Sequence, residues 1–226
     1  MNIAEKKLEE NLLLAKTGLR LSNKTSRYFS EIEIPKKSLV LLCGTPRSGK
    51  TTVAKKICKQ LANSTYIDID YWFDSAVKDL YPNEEYLTEE EIDCIAKKAY
   101  GNAYRTAKES LEKEKVVVWD DLEIYPTDRA EVLQGLKGKY AYAILIVVNC
   151  NQLKAICRSI KNGDTQTRTN LILDTYIYLQ LQLQNPTKYF IGFDEVYIID
   201  GTQEVVVKEP WEWLLYYVFL TKYLLV

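Results

Sequence analysis

The sequence predicts an α/β fold, a parallel doubly wound sheet with helices on its faces, and three observations carry that expectation. Five apolar runs of strand length alternate with segments of helical periodicity along the 226-residue chain. The first run, SLVLLC at Ser38–Cys43, leads straight into GTPRSGKT at Gly44–Thr51, a full match to GxxxxGK[ST]. Behind the motif, TVAKKICKQLA sets Val53, Ile57 and Leu61 at helical spacing while Lys55, Lys56 and Lys59 face away. A glycine-rich loop between a buried strand and a helix N-terminus is built to hold phosphate. Its N–H groups converge on the anion and the helix dipole adds to them. Gly44, Thr45, Pro46, Arg47, Ser48, Gly49, Lys50, Thr51 and Thr52 are therefore expected to cradle a nucleoside triphosphate. Lys50 would supply a point charge to the terminal phosphates and Thr51 a hydroxyl to Mg2+, both facing solvent in the empty loop.

The remaining elements follow in order. Residues 4–21 carry an amphipathic helical pattern, so 1–37 is expected to be an N-terminal helical extension; it lacks a signal-peptide core. STYIDID at Ser64–Asp70 alternates as a second strand with an acidic end, followed by the aromatic stretch YWFDSAVKDLY. Thr88 and Glu91 offer a capping box for a helix whose apolar stripe is Ile92, Ile95, Ala96, Ala99, Ala103, Ala107 and Leu111. VVVW at Val116–Trp119 is a third strand ending in Asp120-Asp121. A short helix around Arg129–Leu133 precedes the fourth strand, YAYAILIVVN, which ends at Asn149. A helix over 151–160, the polar turn KNGDTQTR, a long helix to about Gln184 and the strand VYIID at Val196–Asp200 complete the domain at 38–203. The last residues, 204–226, read as an apolar helix, interrupted by Glu212 and Lys222 and too short to span a bilayer. It is expected to dock on the domain or a second subunit, giving a homo-oligomer, with membrane-surface contact as the alternative.

Composition bounds the chemistry. The chain is 47% hydrophobic and 27% charged, with a net charge of -1, so no extended basic field exists for a polyanion and nucleic acid is disfavoured as a partner. Five scattered cysteines without CxxC spacing read as reduced core thiols of a cytoplasmic protein. The absence of histidine excludes a histidine base and a histidine-ligated zinc, leaving proton abstraction to a carboxylate unless a perturbed Lys, Tyr or Cys performs it.

Ligands of such sheets bind at the carboxyl ends of the strands, where the loop, Asp70 and Asp120 all fall. Asp120, after four apolar strand residues, is placed to hold Mg2+ with Thr51; a solvated strand end is the plainer alternative. Asp121 is expected to cap or orient. Asp70, ending the second strand against aromatics, is the expected base for an acceptor hydroxyl, with a helix N-cap as its structural alternative. Asp68 would point the opposite way, and Asp74 could be a second pocket carboxylate. Arg158, Lys161 and Arg168 flank the bend Gly163-Asp164 and suit a lid over 158–169 whose arginines stabilise a transferring phosphoryl group; otherwise they form a solvated basic loop. Tyr71, Trp72, Phe73, Tyr81 and Tyr86 are candidates for an acceptor pocket, though each alone reads as a core aromatic.

GTPRSGKT, YIDID and the apolar strand ending in Asp120-Asp121 together resemble the small P-loop kinases. VVNCNQLKAICRSIKNGDTQTR resembles the chloramphenicol phosphotransferase and zeta-toxin-like branch, and FDEVYIID resembles their last strand. The likeness covers about residues 38–203 and departs in the lid, where GDT replaces the usual GDR and Lys161 stands where Arg is common. It implies the three-layer P-loop NTPase fold with strand order 2-3-1-4-5, ATP and Mg2+ as cofactors, and γ-phosphate transfer to a hydroxyl. By residue it implies Lys50 and Thr51 on phosphate and metal, Asp70 as base, and Arg158 and Arg168 as lid cations. The resulting expectation is an ATP- and Mg2+-dependent phosphotransferase acting on a small-molecule hydroxyl. A nucleotide or polynucleotide kinase, or an ATP-binding switch working through a protein partner, are the alternatives.

Overall fold

The computed structural model describes residues 33–82 and 86–201, so the expected N-terminal and C-terminal helices lie outside the described residues. The order of elements is β1 (Ser38–Cys43), α1 (Lys50–Gln60), β2 (Ser64–Asp68), α2 (Ile69–Leu80), α3 (Glu89–Glu112), β3 (Val116–Asp120), α4 (Pro126–Gly135), β4 (Tyr142–Asn149), α5 (Gln152–Lys161), α6 (Gln166–Gln184), α7 (Pro186–Tyr189) and β5 (Glu195–Asp200). The five strands form one parallel sheet in the order β2-β3-β1-β4-β5. The alternating pattern predicts the parallel sheet with its helices, and the strand order is the one that the resemblance to the small P-loop kinases implies. Among the described residues no helix is long and apolar enough to cross a membrane.

The central strand β1 is buried along its whole length, as a strand covered on both faces must be. Alternation sends Leu39, Leu41 and Cys43 to one face, where Trp119, Ala103, Ala107, Val132 and Leu179 from β3, α3, α4 and α6 meet them. Val40 and Leu42 go to the other face, against Val53, Ala54 and Ile57 of α1. Parallel register sets Leu42 beside Asp120 and Asp68 beside Asp120, which brings the carboxyl ends of β1, β2 and β3 level. The site is built at that edge.

Two expectations are corrected here. The second strand stops at Asp68, because the Asp68 carboxylate accepts the Tyr71 N–H at 3.2 Å and caps α2. Asp70 therefore stands in the first helical turn and is exposed, instead of ending a strand and being partly desolvated. On α2, Trp72 and Phe73 pack against the core while Tyr71 is exposed; Tyr86, farther on, is exposed as well. Cys94 is exposed and Cys58 and Cys157 are half-buried, so only Cys43 and Cys150 are core thiols. The capping box of Thr88 and Glu91 forms as expected, with the Glu91 carboxylate accepting the Thr88 N–H at 2.8 Å.

Candidate phosphate site

Gly44–Gly49 turn around an interior that only small or glycine residues permit. A Cβ on Gly44 would sit 2.6 Å from the Val148 carbonyl and 2.7 Å from Ser48 Oγ, and Gly49 takes φ 108 to launch α1. Thr45 Oγ1 and Ser48 Oγ are buried without a hydrogen-bond partner. Unpaired buried hydroxyls in a glycine-lined turn at a helix N-terminus fit a phosphate group, so the residues present suit the nucleotide that the motif implies.

Lys50 is folded inward rather than facing solvent. Its Nζ donates to the Gly44 carbonyl at 2.8 Å and the Thr45 carbonyl at 3.0 Å, filling the loop with its own cation. Burial pushes its ammonium below the ordinary lysine range, and the carboxylates of Asp120, Asp121 and Asp70, with the Cys43 thiol, oppose that shift. Thr51 is exposed at the start of α1, and its hydroxyl hydrogen-bonds the Asp120 carboxylate. A hydroxyl and a carboxylate held together beside the loop are the donor set that a phosphate-bound Mg2+ uses.

Asp120 is buried at the end of β3. Burial raises its pKa, and hydrogen bonds from Tyr66 and Thr51 together with the Lys50 charge hold it down. The Tyr66 hydroxyl is shared, lying 2.7 Å from Asp120 Oδ2 and 3.2 Å from Asp68 Oδ2. Asp68 thus stands beside Asp120 at the strand ends. Strand alternation beyond Asp68 carries no information, since the strand ends there. Asp121 accepts from the Tyr100 hydroxyl and the Leu122 N–H, both at 2.7 Å, which fix its carboxylate. Asp70, exposed in the first turn of α2, is near enough to Lys50, Arg47 and Asp121 to act on each of them electrostatically.

The expected lid is a short turn over residues 162–165 between α5 and α6, and it lies against the loop. Arg158 reaches the loop backbone: its Nη1 donates to the carbonyls of Arg47 at 3.0 Å and Ser48 at 3.2 Å, and its Nη2 to that of Gly201 at 2.9 Å. Asp164 binds the Arg47 side chain and accepts from Ser159 Oγ at 2.8 Å. Arg168 stands in the first turn of α6, its side chain outside the described residues. Gly201 also supports the loop, since a Cβ there would sit 2.3 Å from the Ser48 carbonyl. Tyr66, Asp164 and Gly201 had no sequence signal for these roles. Their value comes from register and from chain crossings that no local pattern encodes.

Behind Asp121 lies a buried carboxylate that sequence reasoning missed. Glu123 is 2% exposed, adopts φ 46, accepts the Trp119 indole N–H on Oε1 at 3.1 Å, and keeps Oε2 unpartnered. Burial, then the neighbouring Asp121 and Asp128, push it from 4.5 up to about 8, against the pull of Arg129. The native chain therefore holds a proton that the unfolded chain releases near pH 4.5. This contribution is complete below about pH 4.5 and is lost as the pH rises through about 8. Glu123→Gln keeps the acceptor for Trp119 and removes the titration. Its stability advantage over the wild type is expected to grow by roughly 2–4 kcal/mol between pH 5 and pH 8.5. Urea midpoints at three pH values measure this, and parallel pH profiles would refute it.

The fold resembles that of solved kinases. A candidate kinase from Chloroflexus aurantiacus is 14% identical with a TM-score of 0.54, covering 82% of this chain and 98% of its own. A chain of the Pnkp1/Rnl/Hen1 RNA repair complex is 14% identical with a TM-score of 0.53 over 70% of this chain, which spans about half (48%) of that one. No curated protein matches the chain. Residues 38–188, from the first strand through the phosphate loop and the turn that docks on it, match the family described as chromatin associated protein KTI12, and the chain belongs to that family.

Proposed function

We propose that the chain is a phosphotransferase that moves the γ-phosphate of ATP to a hydroxyl of a small acceptor, with Mg2+ as cofactor. The observation that supports this most is the grouping of Lys50, Thr51 and Asp120 at the loop, with Asp70 near enough to act on Lys50 electrostatically. Mg2+ held by Thr51 and Asp120 would neutralise phosphate charge as it redistributes during transfer. Lys50 would swing from the loop carbonyls onto the terminal phosphates. Asp70, exposed on α2, would accept the acceptor's proton, while Asp68 and Tyr66 keep Asp120 in place. The narrower likeness to chloramphenicol phosphotransferases and zeta toxins belongs to this proposal, supported by the Gly163-Asp164 step meeting the loop. In it, Arg158 positions the loop backbone and Arg168 remains the lid cation. Scattered free thiols support a cytoplasmic setting.

A second reading has a specific support. The family's description as chromatin associated favours an ATP-binding module that serves a nucleic acid or protein partner. ADP release measured with small hydroxyl compounds, with RNA and DNA oligonucleotides and with no acceptor separates the two. Stimulation by oligonucleotide alone, without label transfer to it, would replace the first reading by the second.

Two substitutions test the base. Asp70→Asn should leave ATP affinity nearly intact while transfer falls by roughly 10²-fold or more, since an amide cannot take the proton. Asp68→Ala should instead cost about 1 kcal/mol of stability through the lost helix cap. A matching loss of nucleotide affinity in Asp70→Asn would move Asp70 to the metal.

A further inference from the structure

The motif's third variable residue is Arg47, and two residues of the docked turn region hold it. Its backbone lies at φ 61, a left-handed conformation costly for a side-chain-bearing residue, and the Arg158 guanidinium grips its carbonyl. Its side chain is gripped separately. Asp164 Oδ2 accepts from Nε at 2.7 Å and Oδ1 accepts from Nη2, a two-point fork that leaves Nη1 as the nitrogen Asp164 does not hold. The Arg47 side chain is 30% exposed and that of Asp164 only 7%. Asp164 is itself fixed by Ser159, whose hydroxyl donates to Oδ2 at 2.8 Å and whose carbonyl accepts the Asp164 N–H at 3.1 Å.

We propose that Arg47 is a γ-phosphate-binding residue and that Asp164 is its positioning residue, a bracket that presents the open edge of the guanidinium to the triphosphate. That role rests on the loop being the triphosphate site proposed above. Arg158 gives Nη1 to the carbonyls of Arg47 and Ser48 and Nη2 to that of Gly201, so it braces the loop backbone, while Arg47 is a cation of the loop itself. The hydrogen bond to Asp164 holds the Arg47 guanidinium above its ordinary range, and the charge of Asp70 adds a smaller push in the same direction. A bracket fits better than a lock that the nucleotide must break. Pulling Arg47 away would strand the nearly buried Asp164 carboxylate without its cation, a penalty large enough to oppose the exchange.

The test is the ratio of ATP to ADP affinity, measured by calorimetry on the full chain with Mg2+ for the wild type, Arg47→Ala, Arg47→Lys, Asp164→Asn and the Arg47→Ala/Asp164→Asn pair. Arg47→Ala should weaken ATP by about tenfold or more and leave ADP within about twofold, as expected for one lost charge-assisted contact to the terminal phosphate. Asp164→Asn should lower the ratio by about threefold to tenfold, and the pair should be no worse than Arg47→Ala alone. Arg47→Lys should recover only part of the ratio, because an ammonium cannot hold the fork and a phosphate oxygen together. Tighter ATP binding in Asp164→Asn would make the contact a lock and overturn the proposal. Equal loss of ATP and ADP in either single variant would reduce the pair to a loop support, and also overturn it. A wild type that binds both nucleotides yet never transfers phosphate would defeat the phosphotransferase reading while the ratio still decides the role of Arg47. An unchanged ratio in Arg47→Ala with normal transfer would defeat only the role of Arg47.

Discussion

Lys50→Ala is expected to abolish Mg2+-ATP turnover, with a loss of roughly 10³-fold or more, while the domain stays folded. The lysine points into the loop, and its ammonium is desolvated among the carbonyls of Gly44 and Thr45. Its removal has two opposite effects on the resting fold. Two carbonyls lose a donor, and a charge held below its ordinary pKa by burial disappears. Each effect is on the order of 1 kcal/mol, so they largely cancel and the net change should stay within about 1–2 kcal/mol. Chemical unfolding and ADP release measured on the same preparation check both halves. Retained turnover in a normally folded variant would dismiss the phosphate-loop mechanism; collapse of the fold would show instead that Lys50 holds the empty loop together.

The sheet was legible because its signals are local. SLVLLC before GTPRSGKT is buried on both faces as a central strand, and VVVW lies parallel beside it. The helix from Thr88 was legible for the same reason: Ile95, Ala99, Ala103, Ala107 and Leu111 follow one face. The boundary at Asp68 was not. IDID continues the alternation of a strand, and only the Tyr71 N–H bound by Asp68 turns the chain into α2 two residues early. The contacts of the turn region were hidden for a different reason. Its cations stood out around the Gly163-Asp164 bend, but a basic residue in a turn can face solvent, phosphate or backbone, and Arg158 faces backbone because the loop crosses beside it. A charge pattern gives sign and position along the chain. It gives no partner.

Arg129 shows that limit most sharply, and Arg129→Leu is expected to have the largest effect on stability. In sequence it is an unremarked charge in a short helix; in the fold it is 2% exposed. Its Nη1 donates to the carbonyls of Glu123 at 2.7 Å and Ile124 at 2.8 Å, and its Nη2 to Gln182 Oε1 and the Tyr189 carbonyl, both at 2.8 Å. The guanidinium also lies 5.3 Å from the centroid of the Phe190 ring. One side chain thus ties the segment after β3 to α6 and to the approach to β5. Leucine fills part of the volume but leaves four acceptors without that donor in a dry interior, and it removes the cation that moderates Glu123. The cost should be about 3–5 kcal/mol. For a domain of this size that is a fall of roughly 10 °C or more in melting temperature. Arg129→Lys should recover only a minority of the loss, since an ammonium cannot reach acceptors on three segments with the planar fork. Nucleotide affinity of the folded fraction at low temperature should stay within about threefold of wild type, because none of the four oxygens belongs to the phosphate loop. A melting temperature within 2 °C of wild type would show that the acceptors find other donors and that Arg129 is dispensable to the fold.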